Sequence, residues 1–273
     1  MSGENLAMRI RFSKYHGTGN DFIIIDNRML LVQLSEKQVA SLCHRRFGIG
    51  ADGLIMIEES EVGFIKMRYY NSDGIEAGMC GNGGRCVAAW VNNMDPGFKN
   101  FVFEAADGLH KAEVNDHGNG LYQVKLSISD VFEFEKLTDG YFIHTGSPHF
   151  VVFTSEAEQM DVVGMGRQLR YDERFQPYGA NVNFVSFQES AIAVRTYERG
   201  VEDETLSCGT GVTASAIAAF LHSGANQSKW KIYTRGGELM VSSDFDGQGF
   251  GNIILEGPAR FLFHGEIENL NDW

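Results

Sequence analysis

Cys80 and Cys208 stand in the same local pattern, Cys80-Gly81-Asn82-Gly83 and Cys208-Gly209-Thr210-Gly211. A cysteine can serve as base or acid, because its thiolate accepts a proton and its thiol returns one. In both places the glycine-rich turn runs into an alanine-rich apolar stretch that reads as a helix buried on all sides, Gly84 to Val91 in one case and Val212 to Leu221 in the other. A helix start carries backbone N–H groups without intrahelical partners, and neighbouring glycines let that backbone form an anion-binding nest. Such a spot stabilises a thiolate. The N–H groups of Gly81, Asn82, Gly209 and Thr210 are also suited to hold a carboxylate between two helix ends. Two sulfurs facing one carbon from opposite sides would allow a proton to leave one face and return to the other, which is what inversion of a stereocentre requires.

That geometry needs two equivalent scaffolds, and the chain repeats itself once. The segment from Thr18 to Ile24 echoes Thr145 to Val152, Gly50-Ala51-Asp52 echoes Gly179-Ala180-Asn181, and Arg68-Tyr69-Tyr70 echoes Arg195-Thr196-Tyr197. The two cysteine motifs follow in the same order at nearly the same offset. Collinear self-similarity of this kind signals a repeated architecture. Two domains are expected, 1–130 carrying Cys80 and 131–257 carrying Cys208, with the strand in 258–273 returning to complete the first.

Short apolar or alternating runs read as strands. In the first half they are Arg9 to Lys14, Phe22 to Asp26, Leu54 to Glu58, Phe64 to Tyr70, Phe101 to Ala105 and Tyr122 to Ser127. In the second they are Phe150 to Phe153, Asn183 to Phe187, Ala191 to Glu198, Trp230 to Thr234, Leu239 to Ser242, Ile253 to Glu256 and Phe261 to Phe263. Ser35 to Arg46 reads as a helix with a Ser35/Gln38 capping box and a stop at Gly48. The expected fold is α/β (α+β): two pseudo-symmetric domains, each a curved, mainly antiparallel sheet wrapped around a central buried helix.

Composition narrows the partners. A net charge of -13 without any dense basic run argues against nucleic acid and against an anionic membrane surface. No apolar run approaches the roughly 18 residues of a membrane-spanning helix, and Met1 to Met8 lacks an apolar signal core, so a cytoplasmic location is expected. Residues 1–7 read equally as a native extension or as an early start codon. Four cysteines without a Cys-x-x-Cys spacing suit a reducing compartment, and no metal site is expected. Cys43 and Cys86 read as small buried packing residues.

Beyond these residues, the chain resembles the diaminopimelate epimerase family over nearly its whole length, from His16–Phe22 to Glu256-Gly257-Pro258. The motifs that carry the resemblance are Asn71–Gly74, Met79–Cys86, Tyr197–Gly200 and Ser207–Gly211. It implies a pyridoxal-independent enzyme, without cofactor, that interconverts LL- and meso-diaminopimelate for lysine and peptidoglycan synthesis, often as a homodimer. It further implies Cys80 and Cys208 as the two bases, Gly81, Asn82, Gly209 and Thr210 around the reacting carboxylate, and Asn20, Asn71, Asn181, Glu198 and Arg199 as substrate-binding residues. Arg199 would grip the distal carboxylate and Glu198 would face an ammonium group. His149 and Ser147 would support the site. Two positions depart from the family pattern: Ser147 stands where many members have asparagine, and Gly53 where some have glutamine.

The residues admit blander readings. Asn20, Asn71 and Asn181 lie among turn residues that often satisfy their own backbone, and Glu198 with Arg199 would pass as a solvated pair. A proline or hydroxyproline racemase would use the same two-thiol chemistry, but a small ring offers no distal amino acid to the Glu198-Arg199 segment. A non-catalytic amino-acid-binding protein needs neither cysteine. A thiol oxidoreductase pairing Cys80 with Cys86 leaves Cys208 unexplained.

Overall fold

The computed structural model describes residues 9–224 and 227–268. The middle of strand Asn20–Asp26, Phe22–Ile25, is continuously apolar because both of its faces are covered: Phe22 and Ile24 point into one core, while Ile23 and Ile25 pack beneath helix α1 (Glu36–Cys43). Gly53–Glu58 behaves the same way, with Ile55 and Ile57 inward and Leu54 and Met56 toward α1. These two strands pair in parallel, so the chain must cross over between them, and α1 is that crossover. The Ser35/Gln38 capping box is present. The helix stops at Cys43 rather than Arg46, since His44 adopts extended backbone and its Nδ1 takes the N–H groups of Arg46 and Phe47.

Three further helices follow: α2 (Gly81–Met94), α3 (Val162–Arg170) and α4 (Gly209–Ser223). The two central helices are longer than their sequence signals. They begin directly after the cysteines rather than at Gly84 and Val212, because each cysteine is itself the capping residue. Both helices are sheathed in strands, and each has its own core: Cys86, Val87, Ala88, Ala89, Trp90 and Val91 anchor one, and Val212, Ala214 and Ala216–Ala219 anchor the other.

The pairings recur in order. Ile10–Gly17 with Asn20–Asp26 matches Tyr141–His144 with Pro148–Phe153, both antiparallel. The parallel pair across α1 matches the parallel pair of Pro148–Phe153 and Asn181–Gln188 across α3. Lys66–Asn71 runs parallel to Asn100–Ala105 as Ala191–Glu198 does to Lys229–Thr234, and antiparallel meanders complete both halves.

Five strands and one helix were not legible; three of the strands, Glu76–Ala77, Phe134–Lys136 and Asp203–Thr205, are only two or three residues long. Gly108–Asp116 turns only His110, Ala112 and Val114 inward, too small and polar a set to mark a period. Tyr141–His144 is short. Helix α3 is interrupted in propensity by Gly164 and Gly166, yet Gly166 is where the helix meets its sheet, since a Cβ there would lie 2.4 Å from Cβ of Tyr197. The last two predicted strands are one, Phe250–Ile267, which passes through Gly257 and Pro258 without a break. Proline's fixed φ suits extended backbone, and Pro258 keeps its register opposite Gln123. This strand pairs first with Gly237–Phe245, then with Leu121–Ser127, and finally with Ile10–Gly17.

A buried imidazole ties the first half together. His110 is 1% exposed, with Nδ1 2.7 Å from the Ser127 carbonyl and Nε2 2.8 Å from Asp107 Oδ1. Both ring nitrogens face acceptors, an arrangement that favours the doubly protonated ring. Burial opposes the charge, but the hydrogen bonds to Asp107 and to the Ser127 carbonyl outweigh it and raise the pKa above 6.5. A raised folded pKa adds stability that is fully present below the ordinary histidine value of 6.5 and lost as pH rises through the folded value. Denaturant midpoints of wild type and His110→Gln should therefore differ most in acid and converge in alkali. A gap independent of pH would mean that the ring is neutral.

Candidate active site

Cys80 and Cys208 cap α2 and α4 with nearly the same backbone, φ -111 and ψ 115 in one and φ -119 and ψ 115 in the other. Cys80 Sγ takes the place of the usual oxygen cap, accepting the Gly83 N–H at 3.4 Å. The two helix starts abut. A Cβ at Gly209 would lie 3.1 Å from Cα of Gly81 and 3.4 Å from the Asn82 nitrogen, so only glycine lets the two first turns approach this closely. Their N-terminal N–H groups and positive dipole ends thus converge on one region flanked by the two sulfurs.

On the Cys80 side, Sγ lies 3.9 Å from Asn20 Oδ1. Asn82 Nδ2 donates to the same oxygen at 3.2 Å and to the Ser207 carbonyl at 2.9 Å, linking the first helix start to the residue before Cys208. Asn20 Nδ2 donates to Asp52 at 2.9 Å, and Asp52 is held by Arg45. Arg45 and Lys14 also grip Asp21: burial alone would raise that carboxyl, but their hydrogen bonds bring it down to about 2.

On the Cys208 side, Sγ is 3.4 Å from Thr210 Oγ1, which lies 3.0 Å from His149 Nε2. Ser147 Oγ is 3.0 Å from the same nitrogen. Asn183 Oδ1 accepts from Thr196, so its amide nitrogen donates to His149 Nδ1 and the ring proton resides on Nε2. Burial, reinforced by His144 and Arg199, holds His149 down to about 3, and it stays neutral. Ser147 Oγ also lies 3.3 Å from Thr210 Oγ1, so it reaches Cys208 only through Thr210 and His149.

Asn181 accepts the Arg199 backbone N–H at 2.9 Å and donates to the Pro148 carbonyl, which fixes the loop that carries Arg199. The Arg199 guanidinium reaches only to 3.4 Å from the Tyr178 carbonyl. Burial, then the like charge of Asp52, raises Glu198, which in turn disfavours both thiolates. Asn71 is exposed and enters none of these side-chain networks; it lies opposite Gly53 at the end of its strand. The space that a side chain at 53 would need is filled, since a Cβ there would meet the Tyr69 ring at 2.5 Å.

Burial pushes Cys80 up to about 11 and Cys208 higher still, so both are thiols in the free protein. Sequence reasoning passed over Tyr69, Asp52, Asn183 and Arg85. Arg85 carried a signal, a lone charge inside a stretch otherwise read as buried, and so did Asp52, which stands in the repeat where Asn181 stands.

The fold is shared with proteins of little sequence similarity. A hydroxyproline epimerase from Agrobacterium vitis superposes with a TM-score of 0.72 at 13% identity, covering 95% of this chain and 91% of its own. A phenazine biosynthesis protein of the PhzF family from Bacillus anthracis gives a TM-score of 0.72 at 15% identity, covering 95% and 99%. The chain thus shares one fold with this epimerase and this PhzF-family protein. Closer relatives specify more. A family model described as diaminopimelate epimerase matches residues 12–127 and 141–262. A diaminopimelate epimerase from Flavobacterium psychrophilum is 44% identical over 263 residues, 94% of this chain and all of its own, and one from Chlorobaculum tepidum is 41% identical over 92% of this chain and 98% of its own. This chain belongs to the diaminopimelate epimerase family.

Proposed function

We propose that the protein interconverts LL- and meso-diaminopimelate by proton transfer between Cα of the substrate and the thiols of Cys80 and Cys208, serving lysine biosynthesis. The observation that carries this reading is the contact of Gly81 with Gly209, which sets two cysteine-capped helix starts against one another. One thiolate takes the Cα proton and becomes a thiol; the electron pair left on carbon spreads into the carboxylate held by the first-turn N–H groups; the opposite thiol then gives its proton to the other face. A substrate ammonium beside Glu198 cancels the charge that raises both cysteines and so helps one of them ionise on binding.

In this reading Asn20, Asn82 and Thr210 orient the reacting end, Arg199 and Asn181 the distal end, and Asn71 meets the substrate from the end of its strand. Residues 1–130 with the return of the last strand, and residues 131–257, act as two domains whose separate cores support one shared site. We place the reaction in the cytoplasm and the working form as a homodimer that requires no cofactor. Among the described residues no helix is long and apolar enough to cross a membrane.

The test is exchange in heavy water, with LL-diaminopimelate, reductant and no pyridoxal phosphate. Early in the reaction deuterium should appear at Cα of the meso product while recovered substrate keeps protium, since the returning deuteron arrives on the opposite face. Equal labelling of both isomers would point to a single base, and no labelling at all would sink the assignment.

A further inference from the structure

Arg85 is 0% exposed, a guanidinium enclosed one turn inside α2. Its neighbours are all neutral: Asn82 Oδ1 at 2.9 Å, Thr18 Oγ1 at 3.2 Å, and the carbonyls of Gly81 and Pro258 at 3.4 Å each. Among the described residues no carboxylate touches it. The slot that holds it is cut from backbone, since a Cβ at Gly17 would lie 3.2 Å from one of its nitrogens and a Cβ at Gly257 3.4 Å from another. A buried cation ordinarily demands a counter-charge, and here the fold encloses one without supplying it.

Its contacts have a direction. Because Arg85 claims Asn82 Oδ1, the amide nitrogen of Asn82 must face the other way, toward Asn20 Oδ1 and the Ser207 carbonyl. Asn20 is thereby turned with its oxygen to Cys80 and its nitrogen to Asp52. One guanidinium thus sets the orientation of two amides, ties the Thr18 hairpin and the last strand to α2, and leaves a positive charge behind the paired helix starts.

We propose that Arg85 is a positioning residue of the two-thiol site, which aligns Asn82 and Asn20 and whose uncompensated charge favours an anion at Cys80. The inference rests on the two-thiol reading for its catalytic meaning only. The titratable and charged groups that act on Cys80 are Glu198 and Tyr69 from neighbouring strands, Cys208 from the opposite helix start, and Arg85 and Cys86 from its own helix. Arg85 is the cation among them.

The experiment is the pH dependence of iodoacetamide alkylation of Cys80, followed by peptide mass spectrometry in the Cys208→Ala background, with Arg85 intact, Arg85→Lys and Arg85→Met. No substrate is involved, so a failed epimerase assignment would leave this readout untouched. Loss of the charge in Arg85→Met should move the alkylation profile up by about one pH unit, about tenfold slower reaction on its acid limb. Arg85→Lys should keep the profile near that of the parent, because the charge remains. In the otherwise native protein, Arg85→Lys should lower kcat more than it raises KM, because the fork that aligns Asn82 is gone. Circular dichroism and a cooperative melt establish that each variant is folded; if Arg85→Met does not fold, the Arg85→Lys split in kcat and KM decides. Superposable alkylation profiles in folded Arg85→Met, or an unchanged kcat in Arg85→Lys, would overturn the proposal.

Discussion

Cys80→Ala and Cys208→Ala should each lower kcat for epimerisation by about 10⁴-fold or more, because an inverting reaction without one of its two proton carriers has no route to the opposite face. The two variants should differ in stability although they match in activity. Cys80 Sγ accepts the Gly83 N–H, so its alanine variant loses a helix cap worth about 1 kcal/mol; the Cys208 variant loses instead the 3.4 Å contact with Thr210 Oγ1 and should be destabilised less. Cys80→Ser separates the roles, since a hydroxyl can restore the cap yet is far too weak an acid to ionise as a base near neutral pH. Differential scanning calorimetry beside a coupled turnover assay measures both quantities. A Cys80→Ser enzyme that turned over within tenfold of wild type would remove Cys80 from the chemistry.

The second large effect is expected at Glu198, where one substitution should push two observables in opposite directions. Its carboxylate opposes ionisation of both Cys80 and Cys208, in each case after burial itself. In Glu198→Gln that charge is gone, both thiols become more acidic, and the acid limb of the bell-shaped kcat/KM profile should move to lower pH. The same substitution removes the proposed partner of a substrate ammonium, so kcat/KM at its optimum should fall by roughly 10²-fold or more, mainly through KM. Initial rates across pH give both numbers. A profile that kept its acid limb while KM rose would confine Glu198 to binding, and an unaltered KM would remove it from the substrate's surroundings.

How far the site could be read in advance followed the range of the interactions concerned. Helix capping and anion-binding turns are local events within a few residues, so Cys80-Gly81-Asn82-Gly83 and Cys208-Gly209-Thr210-Gly211 announced both helix starts, misplacing only the first turn. The duplication predicted matching halves, and the pairings repeat in order. It also held the missed helix: α3 stands where α1 stands in the first half, but Gly164 and Gly166 lower its propensity while Gly166 serves close packing against Tyr197. Continuous apolar runs such as Phe22 to Ile25 declared burial without saying that two different layers, α1 and α2, would share it.

The sequence by itself determined the repeat, the reactive residue types and the helix starts beneath them, because each depends on the backbone conformation and hydrogen bonding of adjacent residues. Only the tertiary structure decided that Gly81 meets Gly209, that Asn82 reaches Ser207, that Arg85 is sealed among neutral groups and that Tyr69 fills the space above Gly53. Those contacts join residues far apart in the chain, and they exist because one continuous sheet closes around two apolar helices and fills both cores.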